Sequence, residues 1–301
     1  MCGRTARPVK KSHIGVMLWR VPPGQDSLHV RFWGVRGSVP VAGPAYAEFG
    51  GRTACVEIRC GPRVVIVDAG TGLTALGEEI AHDPPAEIDL LLSHLHLDHV
   101  IGLPFFKPVL YGDRLVRTYC GNLGGESARE GLERLYSPPL FPVSLDRLPT
   151  RFEHIGFKAG EPLDLGDGLV VKTHPLQHPG GATGFRFDHR GRSVCYISDI
   201  EHTIPWPPEP LTRFVEGTDL LIYDGMFSEA EYCTCVGWGH STWQKGLALA
   251  KAAGARALAI YHLHPAHDDE HLREVERAVK LEMPDAFVAR DGQALVFAPV
   301  E

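Results

Sequence analysis

Apolar residues come in short runs, each closed by glycine, proline or a carboxylate, and this rhythm predicts strands interleaved with helices. Residues 28–33 alternate as a half-buried strand does. Residues 53–58 and 63–67 read as a hairpin turned at Cys60-Gly61-Pro62. Residues 73–81 carry helical spacing, 87–92 form a buried apolar run of strand length, and 100–110 hold enough apolar side chains for a helix with Pro104 near its start. Residues 111–157 are less regular and are expected to form an insertion or a lid that shapes a pocket. The second half repeats the pattern. Strands are predicted at 169–173, at the end of the glycine-rich stretch 174–187, and at 193–199, 219–224 and 257–261, with helices at 243–253 and 268–283 and a closing turn and strand within 291–298.

Chemistry gathers where these strands stop. The run over 87–92 delivers His94, His96, Asp98 and His99 within six residues, a density that packing does not require. Alternate residues after a strand point into one cavity, so His94 and His96 can share one metal while Asp98 and His99 face a second. Imidazole nitrogens with a carboxylate suit zinc, and manganese or iron would also be accepted. Asp68, Asp199 and Asp224 each tip another apolar strand. Asp68 can accept an imidazole N–H and fix a ligand tautomer, or serve as a turn residue. His240 lies just before the helix over 243–253, capped by Ser241 or Thr242, where an anion is favoured. The Gly34–Pro40 turn could bring Arg36 and Ser38 toward a substrate, or be an ordinary loop.

Composition narrows the class. The chain has 301 residues, 44% of them hydrophobic and 22% charged, enough for a substantial core. Its net charge of −7 argues against a broad nucleic-acid-binding face and for a small-molecule partner. Seven cysteines without paired spacing fit reduced thiols in a cytoplasm. No run reaches the ~18 apolar residues that span a bilayer, so no membrane partner is expected. Residues 1–27 read as a flexible extension before a single domain over 28–301.

The stretch HLHLDH at 94–99 resembles the signature of the metallo-β-lactamase superfamily, and the later motifs follow in that family's order. The resemblance implies an α/β, four-layer αββα sandwich with two divalent metal ions. It places His94, His96 and His178 on one ion, Asp98, His99 and His262 on the other, and Asp199 between them, with Asp68 behind the ligands. His174 competes with His178, and His264 with His262. The histidine at 96 stands where redox di-iron members carry an acidic residue, which favours a zinc-type hydrolase.

Tyr223-Asp224-Gly225-Met226-Phe227 and Gly239-His240-Ser241-Thr242 further resemble motifs of ribonuclease Z and related phosphodiesterases. There the histidine is the general acid and the acidic residue orients it, which implies catalytic roles for His240 and Asp224; Asp98 would help orient the attacking water. No glycine- and lysine-rich arm like that of ribonuclease Z interrupts the motifs. Phe32-Trp33-Gly34-Val35-Arg36-Gly37-Ser38 and Ser137-Pro138-Pro139-Leu140-Phe141-Pro142 resemble stretches of bacterial hydrolases grouped with cyclic-nucleotide phosphodiesterases, which implies a small or cyclic phosphodiester nucleotide as substrate, with a homodimer implied by the resemblance alone. The competing readings are a carboxyl-ester, lactone or thioester hydrolase, an RNA-processing endonuclease, and a non-catalytic nucleotide sensor.

Overall fold

The computed structural model describes residues 15–16, 27–61, 63–112, 114–121, 127–166 and 168–300. The extension read over 1–27 lies outside the described residues, apart from Ser27 and a two-residue strand, β1 (Gly15–Val16), paired antiparallel with the last strand.

Two mixed sheets stack face to face. The first contains β2 (Leu28–Gly34), β3 (Cys55–Cys60), β4 (Arg63–Val67), β5 (Glu87–Leu92), β6 (Leu115–Cys120) and β7 (Arg151–Gly156). The second contains β8 (Leu163–Asp164), β9 (Val170–Leu176), β10 (Ala182–His189), β11 (Arg192–Ile197), β12 (Leu220–Asp224), β13 (Leu258–Tyr261) and β14 (Ala286–Val288). The chain then returns to the first sheet as β15 (Ala294–Phe297), between β1 and β2.

Strand β4 shows why the sandwich has four layers. Val65 and Val67 join the core between the sheets, whereas Val64 and Ile66 pack outward beside Leu73 and Leu76 of α1 (Gly72–Glu79). A strand apolar on both faces must be covered on both. Helices α2 (Leu97–Val100), α3 (Lys107–Tyr111) and α4 (Ala128–Leu135) belong to this side. On the other sheet, α5 (Glu209–Val215), α7 (Trp243–Ala252) and α8 (Asp269–Glu282) contribute Leu211, Leu249 and Val275 to the larger core. A short α6 (Glu229–Tyr232) lies in the loop after β12.

Two expectations are corrected. Residues 111–157 are no separate insertion, because β6 and β7 extend the first sheet in parallel register, Leu115 opposite Arg151. The apolar stretch over 100–110 is no single helix: Gly102, Pro104 and Pro108 break it into α2, a 3-10 turn at Leu103–Phe105, and α3.

Strands β4 and β5 run parallel, as do β11, β12 and β13. Their carboxyl ends therefore open on common edges of the two sheets, where α/β folds seat ligands.

Candidate metal centre

Every candidate ligand leaves a strand end or the loop after one. His94, His96, Asp98 and His99 follow β5, His178 follows β9, Asp199 follows β11, Asp224 ends β12 and His262 follows β13. Asp68, Asp199 and His262 turn there with φ of 63°, 61° and 57°. Left-handed backbone costs a residue with a side chain roughly 1–3 kcal/mol, and such outliers collect where side-chain direction is functionally constrained.

Two trios form. His178 Nε2 lies 3.0 Å from His96 Nδ1, and His94 joins them, with one donor atom from each ring within 4.8 Å of the other two. His99 Nε2 lies 3.1 Å from His262 Nε2 and 3.3 Å from Asp98 Oδ2, while His262 Nε2 lies 3.2 Å from Asp98 Oδ2. Asp199 reaches both, with Oδ2 at 3.3 Å from His99 and Oδ1 at 3.9 Å from His94 and 4.0 Å from His178. In the first trio, lone pairs of imidazoles that burial keeps neutral are turned toward one another and repel unless a cation lies between them.

The surrounding bonds set those lone pairs. His178 Nδ1 donates to the Gly239 carbonyl at 2.7 Å, leaving Nε2 to face His96. His99 Nδ1 donates to Asp68 Oδ2 at 2.8 Å, so its Nε2 faces the centre. Asp68 is itself held by the Ser93 amide at 2.7 Å, the Ser93 hydroxyl at 2.9 Å and the Tyr196 hydroxyl at 2.7 Å. The Ser38 amide donates to Asp98 Oδ2 at 2.7 Å. Gly239 turns with φ 87°, and a Cβ there would lie 2.4 Å from His178 Nδ1, so the approach requires glycine.

Electrostatics favours a cation. Burial pushes the His94 pKa well below its ordinary value, and burial likewise lowers His96 and His178, so all three are neutral donors. Burial opposes charge on Asp199 and Asp98, yet neighbouring histidines hold both carboxylates far below the usual range. His94 Nε2 is buried without a hydrogen-bond partner. The donor set thus fits divalent metal ions, with outer partners that fix ligand orientation. Asp68→Asn is expected to weaken metal affinity by ~10–100-fold, read by chelator competition; a change below twofold would contradict the orienting role.

Beside the trios, His240 Nδ1 donates to Asp224 Oδ2 at 3.0 Å. Its ring stacks on His262 at 5.0 Å between centroids and lies 5.4 Å from His178. Burial works against charge on His240, but Asp224, followed by Asp199, overcomes it and raises the pKa to about 9. Trp238, 60% exposed, and Leu97, 53% exposed, neighbour His240 and His96 in sequence.

Other candidates lie elsewhere. His174 is within β9, its ring 5.1 Å from Phe214, and His264 packs on Phe227 at 5.5 Å. Arg36 is fully buried and braces the carbonyls of Gly50, His264 and His267, so it is a strut and not a substrate contact. Sequence reasoning missed Ser93 and Tyr196 behind Asp68. It also missed Glu201, whose carboxylate accepts the Gly237 and Gly239 amides at 3.1 and 2.6 Å. A serine directly before His94 and a glycine on either side of Trp238 were the only signals.

The family profile described as "Beta-lactamase superfamily domain" matches residues 63–263, which carry both trios and Asp199. The chain belongs to that family. A curated relative, Ribonuclease Z of Exiguobacterium sp. strain AT1b, is 26% identical over 238 residues, 66% of this chain and 78% of that protein. Ribonuclease Z of Haloferax volcanii is 25% identical over 333 aligned residues, 89% of this chain and 95% of that protein. Among solved structures, the metallo-beta-lactamase fold protein YhfI from Bacillus subtilis aligns with TM-score 0.69 at 21% identity, covering 90% of this chain and 99% of its own. Human tRNase Z, short form, aligns with TM-score 0.64 at 20% identity, again covering 90% and 99%. These two share the αββα fold.

This superfamily domain is a metal-dependent hydrolase that works with divalent metal ions. The comparisons overturn the expected partner, a small-molecule phosphodiester with extended nucleic-acid binding disfavoured, since the relatives named Ribonuclease Z act on a nucleic acid. The error was physical. A net charge of −7 sums the whole chain and says nothing of the field at the mouth of one site. Among the described residues, no helix is long and apolar enough to cross a membrane.

Proposed function

We propose that this chain is an endonuclease that hydrolyses phosphodiester bonds in RNA. The observation that carries the chemistry is the Asp224–His240 pair set against the two trios. What points to RNA is the similarity to relatives named Ribonuclease Z.

In this reading His94, His96 and His178 would hold one ion and Asp98, His99 and His262 another, with Asp199, whose carboxylate reaches both trios, serving the two. The set is rich in neutral imidazole, which favours zinc. When bound, the ions supply Lewis acidity toward the phosphoryl oxygens and an activated water. The protein's residues do the rest. Asp98, fixed by the Ser38 amide, orients the water from one side. Asp224 accepts His240 Nδ1–H, which leaves the Nε2–H of the charged ring to pass its proton to the departing ribose oxygen. A pKa raised to about 9 keeps His240 protonated near neutrality, as an acid must be. Trp238 offers an exposed ring two residues from that acid, a surface on which a base can stack.

The test presents the metal-loaded protein with labelled RNA transcripts, transfer-RNA precursors among them, DNA of the same sequence, and a p-nitrophenyl ester. Multiple-turnover cleavage of RNA, with the ester untouched, is expected. Ester hydrolysis without phosphodiester cleavage would transfer the site to acyl chemistry.

A further inference from the structure

A second cluster of metal-ligand chemistry lies outside the centre, where α6 meets the start of α8. Glu231 Oε1 sits 2.7 Å from His267 Nε2, and the rings of His267 and His271 stack at 3.9 Å with 26° between planes. One donor atom from each of Glu231, His267 and His271 falls within 4.8 Å of the other two. The trios described above use none of these residues.

Each side chain is held in place by other bonds. Glu231 spends Oε2 on the Ser228 amide and hydroxyl, both at 2.7 Å, which turns Oε1 toward the histidines. His267 precedes the Asp268 cap of α8, and its carbonyl is clamped by the buried Arg36 at 2.6 Å. His271 sits one turn later with its amide on Asp268 at 2.9 Å. An ordinary hydrogen bond accounts for Glu231 and His267 alone. It leaves His271 Nε2 unexplained, since that atom is buried and has no hydrogen-bond partner. Burial also lowers the His267 pKa, which keeps its ring a neutral donor.

We infer that Glu231, His267 and His271 form a separate site for one divalent transition-metal ion, zinc by donor type, with further positions open to solvent. Two imidazoles and a carboxylate are a common zinc set, and tetrahedral bonds of ~2.0–2.1 Å separate donors by about 3.4 Å. Glu231 and His267 need only part slightly to admit the ion. The site would tie the segment that carries Trp238 and His240 to the base of α8.

The test dialyses the loaded protein against Zn2+ and counts bound metal in wild type, His271→Ala and Glu231→Gln. The wild type is expected to hold one equivalent more than either variant, with its weakest-bound equivalent weakened at least ~10-fold in both. The difference is independent of how many ions the main centre holds, so failure of either assignment is distinguishable. In wild type the His271 ring resonances are expected to shift as the last equivalent binds, a reading that needs no variant. Equal stoichiometry in all three proteins, or unmoved His271 resonances at saturation, would overturn the site.

Discussion

Asp199→Ala is expected to abolish hydrolysis by emptying the centre. Among the described residues Asp199 is the one carboxylate that reaches both trios, and it does so from a fully buried position in the left-handed turn after β11. Its removal leaves no anion between two sets of converging imidazoles. The loss of metal affinity should exceed the ~10–100-fold seen when only an outer partner of a ligand is removed. Metal counted after dialysis is expected to fall by about two per chain, the ions of the main centre, with activity following. A variant that kept both ions and turned over within tenfold of wild type would show that the bridge lies elsewhere.

His240→Ala should behave in the opposite way, keeping its metals while kcat on RNA falls by ~10²–10⁴, the range for loss of a general acid. The leaving group provides the control. A ribose oxygen departs poorly without a proton, whereas p-nitrophenolate leaves well, so bis(p-nitrophenyl) phosphate should lose much less. Equal losses on both substrates would make His240 a binding group only.

The same residue sets a pH limb. Because His240 acts protonated and its pKa is raised to about 9, kcat should decline as pH rises through a value at or below about 9, bound cations drawing it downward. Asp224→Asn removes the charge that raises this pKa and should move the limb to lower pH. For stability the sign agrees. A pKa raised above the ordinary ~6.5 contributes stability below that value, and the contribution is lost as pH climbs through the folded value.

Much of this architecture was readable in the chain, for a local reason. Strands such as β4, β5, β11 and β12 are rich in buried apolar residues, and the residue that carries the chemistry ends the strand, as Asp224 does, or follows within two positions, as Asp68, His94 and Asp199 do, so pattern and motif coincide. Strands β6 and β7 escaped because edge and near-edge strands mix charge with apolar residues, as Leu115-Val116-Arg117 and Arg151-Phe152-Glu153 do. The helix read across 100–110 failed because apolar content was weighed above its two prolines. The partners behind the ligands were illegible for another reason. Tyr196 reaches Asp68 across 128 positions of sequence, a contact that no local pattern encodes.

The most direct test of the central claim is a metal titration of RNA cleavage. Protein stripped by chelator and reloaded stepwise with Zn2+ is expected to be inactive when empty and to reach full cleavage as the main centre fills with about two ions. His271→Ala should follow the same curve, since its site is separate. Cleavage that persists in the stripped protein, or its absence from a fully loaded one, would contradict a metal-dependent ribonuclease.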